Sequence, residues 1–162
     1  VVTIDLHRGH LDPSVATLPL PAADAAALME RVVPMLAAFR ALGVPVVHLV
    51  TAYRDRQEIL SNPYWALQSG RPGSTRTAIA EHNLIGLPGL DGRHTLLMAG
   101  VNTNSCVLAT TVAASVRDFS VVVLEDAVAS MMGDGAHRAA LGILGASFAS
   151  VASSAEVLAA MI

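Results

Sequence analysis

"HTLLMAGVNTNSCVLATTVAAS", residues 94–115, decides the fold and poses the functional question. The run 94–100 is apolar and short, as befits a strand buried on both faces. A polar turn over 101–105 follows. Small and apolar residues at helical spacing then predict a helix over 103–117, with Thr103 or Asn104 as its cap. A strand that turns directly into a helix is half of a βαβ unit. The only cysteine of the chain, Cys106, falls in the first turn of that helix.

The same alternation extends in both directions. Residues 1–6 read as a buried strand and 7–21 as a proline-punctuated loop. Helical periodicity runs over 23–42, with a kink expected at Pro34 and a stop at Gly43. Residues 44–50 form a second strand, and 51–55 a loop. A short helix capped by Ser74 is expected over 74–84, then a glycine-rich loop over 86–93. Strand, helix, strand and helix follow at 120–126, 134–144, 146–151 and 153–162. The implied fold is α/β: one domain over 1–162, a doubly wound, mostly parallel sheet with helices on both faces, three-layered and Rossmann-like.

Composition narrows the function classes. Hydrophobic residues make up 53% of the 162-residue chain and charged residues 14%, enough for a substantial core. The net charge of -3 is dispersed, which argues against nucleic-acid and membrane-surface partners. No apolar run approaches the ~20 residues that span a bilayer. A single cysteine forms no internal disulfide, so a reducing, cytoplasmic setting is expected. All ten Lys and Arg positions are arginine.

Ligands of such folds bind beyond the C-terminal ends of the strands. That rim collects Asp5, the loop with Thr51, Tyr53 and Arg54, the turn 100–106, and Asp126. Cys106 has two readings. A thiol in a helix's first turn faces unpaired N–H groups and the positive end of the dipole, which lowers its pKa and suits a nucleophile. Free cysteine is also among the most often buried residue types. Asp5 is either a structural carboxylate that accepts backbone N–H bonds or a base for the thiol. His7 and His10 follow it, but no second ligand cluster completes a site, so neither metal nor cofactor is expected. His48 reads as a core or ladder residue, Asp126 as a tie for its own loop, and His137 and Arg138 as helix surface.

The segments "VVTIDLHRGHLDP" (1–13), "LLMAGVNTNSCVLATTVAASVRDFSVVVLEDAVAS" (96–130) and "HRAALGILGASFASVASSAEVL" (137–158) together resemble the isochorismatase-like cysteine hydrolases. The resemblance implies a thioester acyl-enzyme hydrolase of C–N bonds acting on a small-molecule amide, carbamoyl compound or ureide. Cys106 would be the nucleophile and Asp5 the general base. A cis peptide between Val101 and Asn102 would join the backbone N–H groups of Asn102 and Cys106 in an oxyanion hole. His7, His10, Thr51, Tyr53, Arg54 and Trp65 become substrate-pocket candidates; Tyr64 is a further pocket or interface contributor. A homodimer or homotetramer is implied.

The chain also departs from that pattern. The family's catalytic lysine has no counterpart, and neither Arg76 nor Arg93 matches it in position. The simplest reading is that a strand carrying the lysine is missing near 86–93. The usual glutamine two residues after the aspartate is His7, and "TAYRD" (51–55) lacks the aspartate–histidine pair that binds metal in one branch. A catalytically silent relative that binds a small ligand or a protein is the alternative. Vinyl-ether hydrolysis, which proceeds through the aspartate alone, is a weaker third, since Cys106 is present.

Overall fold

The computed structural model describes residues 1–15, 19–50, 56–61 and 92–162. Within them, five strands form one parallel sheet: β1 (Val2–Ile4), β2 (Val47–Leu49), β3 (Thr95–Val101), β4 (Ser120–Ala129) and β5 (Ser150–Ala152), in the order β2-β1-β3-β4-β5. The helices are α1 (Arg8–Leu11), α2 (Ala22–Ala41), α3 (Arg56–Ser61), α4 (Leu108–Ser115), α5 (Gly133–Ser147) and α6 (Ser154–Ala159), with a π-helical turn, Thr103–Val107, leading into α4. The doubly wound α/β expectation is met.

Alternation along β3 divides the core. Leu97, Ala99 and Val101 face Leu28, Val32, Met35, Leu36 and Phe39 of α2. Leu96 and Met98 face the other way, with Val107, Ala114 of α4 and Leu144 of α5. Each fully buried Leu, Val or Phe contributes about 1.5–3 kcal/mol, so both layers are held by the hydrophobic effect. The helix α2 runs through Pro34 as a single element. It ends where Gly43 adopts φ 71, with Gly43 N–H on Arg40 O and Val44 N–H on Phe39 O, both 3.0 Å. That pairing is the Schellman arrangement, which glycine at this position favours.

Several boundaries differ from expectation. Residues 8–11, expected in a loop, form the helix α1, because the His7 side chain caps it by accepting the Gly9 N–H. The first and second strands are shorter than 1–6 and 44–50. The last strand starts at Ser150, since α5 continues through Ser147. The fourth strand extends to Ala129 through an irregularity: Met98 pairs with Val123, but Gly100 pairs with Val128. The extra residues reverse the alternation, so Val123 and Val128 share one face. Polar Glu125 and Asp126 lie within this irregularity, and they made the strand look finished at 126.

At the centre of the sheet the Gly100 backbone leaves no room for a side chain against β1. Gly100 adopts φ 122, and a Cβ placed on it would lie 2.0 Å from the Ile4 carbonyl oxygen. Only glycine fits there. Gly100→Ala should therefore prevent folding or cost more than about 3 kcal/mol in urea unfolding. A loss within about 0.5 kcal/mol would contradict the close approach.

Candidate active site

Because Ile4 pairs with Gly100, the residues that follow each strand emerge side by side. After β1 the chain turns at once. Asp5 takes φ 53, donates its backbone N–H to Leu49 O at 2.8 Å and accepts the His7 N–H at its backbone carbonyl at 2.9 Å. Aspartate tolerates this left-handed conformation better than most residues. The turn leaves Asp5 0% exposed, and burying a carboxylate is costly without hydrogen bonds.

The partner comes from the end of β3. The Val101–Asn102 peptide bond is cis, the isomer the family resemblance implies. Asn102 is extended, and the π-helical turn carries half-buried Cys106 to the Asp5 carboxylate, which hydrogen-bonds its thiol. The Asn102 N–H and the Ser105 hydroxyl also lie on the sulfur, the latter at 3.8 Å. Thus two groups a hundred residues apart meet at the rim, as expected for strands that share an edge.

The electrostatics differ from the sequence reading. The helix start was expected to lower the Cys106 pKa. Burial instead raises it above the ordinary 9.0, and the Asp5 charge and the Asp5 hydrogen bond raise it further. Contacts with Ser105 and the Asn102 N–H lower it only in part. A dipole at the start of a helix is a weaker influence than desolvation beside a full negative charge. The resting site is a neutral thiol against a carboxylate, not a preformed thiolate.

Long-range bonds hold the turn, and they replace the caps that local sequence suggests. Neither Thr103 nor Asn104 caps the helix. Fully buried Thr103 Oγ1 meets His137 Nδ1 at 2.9 Å, so His137 braces this turn from α5 rather than idling on the surface. Asn104 Oδ1 accepts from Ser130 Oγ at 2.6 Å, and Asn102 Oδ1 accepts the Met131 N–H at 2.8 Å. The polar cluster "NTN" was the available signal, but its partners lie some 30 residues on.

Other candidates sort themselves by position. Asp126 lies within β4 and holds the start of α6 through Ser154, at 2.8 Å to N and 2.6 Å to Oγ, so it secures a distant segment rather than its own loop. His48 is exposed, not core, and bonds Thr3 Oγ1 at 2.6 Å. Arg138 pairs with Asp134 on the surface. Thr51, Tyr53, Arg54, Tyr64, Trp65 and Arg76, the helix expected at 74–84 and most of the gap proposed at 86–93 lie outside the described residues.

His7 and His10 do reach the site. Ligand atoms of Asp5, His7 and His10 lie within 4.8 Å of one another, a grouping suited in number and type to a metal. The proton placement opposes it. His7 Nδ1 accepts the Gly9 N–H at 3.0 Å, so a neutral ring carries its proton on Nε2, the nitrogen that faces Asp5. A ligating nitrogen needs a free lone pair. This arrangement does not suit a metal at Nε2.

Comparison with known proteins places the chain in a family. The isochorismatase domain matches residues 75–156, half of the chain. The chain belongs to the isochorismatase family, whose hydrolase members share its fold. A cysteine hydrolase from Pseudomonas syringae pv. phaseolicola 1448A is similar with a TM-score of 0.73 and 19% identity, covering 99% of this chain and 90% of that one. An isochorismatase family protein from Burkholderia thailandensis gives 0.70 and 24%, covering 99% and 93%. N-carbamoylsarcosine amidase from Thermoplasma acidophilum gives 0.66 and 22%, covering 94% of each. The sequence matches no curated protein. No helix of the described residues is long and apolar enough to cross a membrane.

The raised thiol gives a direct expectation. Alkylation of Cys106 by iodoacetamide should rise with pH along a curve centred above 9.0. A midpoint at or below that value would contradict the thiol–carboxylate pairing.

Proposed function

We propose that the protein is a cysteine-dependent hydrolase of C–N bonds in a small molecule, an amide, carbamoyl compound or ureide. The observation that carries this reading is the hydrogen bond between the buried Asp5 carboxylate and the Cys106 thiol. A nucleophile in contact with its base is the recurring geometry of covalent hydrolysis.

The chemistry follows from that contact. Asp5 takes the thiol proton as Sγ bonds to the carbonyl carbon, so the raised thiol pKa is no obstacle: the proton leaves in the same step as the attack. The carbonyl π electrons move to oxygen, where the N–H groups of Asn102 and Cys106 stabilise the negative charge. The C–N bond then breaks and the nitrogen takes the proton from Asp5. The acyl group remains on sulfur as a thioester. Asp5 next deprotonates water, which attacks the thioester and releases the carboxylic or carbamic acid, and the sulfur regains its proton. The similarity to an amidase and a cysteine hydrolase agrees with this class. With the reading go a small-molecule partner, no nucleic-acid or membrane partner, and assembly with further copies of the chain as a dimer or tetramer.

One observation favours a second reading, a silent relative that only binds its ligand: burial and the Asp5 charge push the thiol above its ordinary value, further from the thiolate. Turnover of a panel of simple amides and ureides separates the two, with mass spectrometry of the protein for an acyl adduct. The hydrolase reading expects an adduct on Cys106 and a loss of roughly a thousandfold or more in kcat for Cys106→Ala, with the fold intact. Equal rates for the two proteins would discard the thioester route. No turnover and no adduct in the natural protein would leave the silent reading.

A further inference from the structure

Within the reading of Asp5 as the base, we infer that His7 is a positioning residue for it. One end of the ring anchors it to the backbone, and the other presents a proton to the carboxylate. The anchor is Nδ1, which accepts the Gly9 N–H at 3.0 Å and so caps α1. The fit is tight, because a Cβ on residue 9 would lie 2.6 Å from His7 Cε1. His10 packs against the ring, with the two ring centroids 5.0 Å apart. The ring therefore has a fixed tautomer and a fixed direction.

The working end is Nε2. It is buried and has no hydrogen-bond partner among the described residues. Asp5 Oδ1 stands 3.8 Å away, beyond a hydrogen bond. A buried N–H left unbonded is costly, so closing that gap is favourable. The His7 proton then holds one Asp5 oxygen away from the sulfur, leaving the other to accept the thiol proton. Drawing charge from Asp5 also lessens its effect on the thiol.

Two conservative substitutions separate the two ends of the ring. Glutamine places an amide N–H near the Nε2 position and forgoes the cap; asparagine places an acceptor near Nδ1 and forgoes the donor. Iodoacetamide alkylation of Cys106 at pH 8 reads the site without any substrate, and thermal unfolding reads the cap. His7→Asn should alkylate more slowly by roughly three- to tenfold, with its melting temperature kept. His7→Gln should alkylate at the natural rate with a lowered melting temperature. An unchanged rate in His7→Asn would overturn the inference, as would equal slowing in both variants. A tenfold change in the natural protein's rate on adding Zn²⁺ or EDTA would also overturn it, because a metal on Nε2 excludes the proton. Turnover and this pattern fail independently. The pattern without turnover sinks only the hydrolase reading, and turnover without the pattern sinks only the role of His7.

Discussion

The site depends on one contact: a carboxylate with no solvent exposure accepting the hydrogen bond of a half-buried thiol. Either group alone would be a liability. Buried and unpaired, Asp5 would cost several kcal/mol, and Cys106 alone would be an unreactive apolar filler. Together they form a pair in which the proton is already directed at its acceptor. The sheet exists, in functional terms, to bring these two chain segments to one edge. Gly100 belongs to the same device, because any side chain there would collide with Ile4 at the strand ends from which both residues emerge.

The turn that carries Cys106 is braced more heavily than its own sequence suggests. Asn102, Thr103 and Asn104 each spend their side chain on a partner beyond the turn: the Met131 N–H, His137 and Ser130. These partners lie at the junction of β4 and α5, so Cys106 is fixed to the far half of the sheet as well as to β3. Preorganisation of this kind holds reacting groups in place without reorganisation during the reaction. It also explains the irregularity in β4, which delivers Ser130 and Met131 to where the turn needs them.

Much of the fold was legible because its signals are local. Continuous apolar strands alternating with amphipathic helices define a doubly wound sheet, and the rim rule then places Asp5 and Cys106 on one edge. What escaped was of longer range. Thr103 and Asn104 have the composition of helix caps, and only tertiary contacts redirect them. Asp126 looked like a strand terminus because nothing local marks the extra residues beside it. The charge state of Cys106 was misread because the helix dipole is visible in sequence, while desolvation and the distance to Asp5 are not. His7 looked like half of a metal site. Its tautomer is set by the Gly9 N–H, and hydrogen-bond direction is a property of the folded turn.

The most direct test of the pairing is an ultraviolet titration of the single thiol in the natural protein and in Asp5→Asn. Removing the charge while keeping the shape should move the thiolate midpoint down by about one unit or more, toward the ordinary thiol value. Coincident titration curves would mean that Asp5 and Cys106 do not share a proton, and the account of the site would fail.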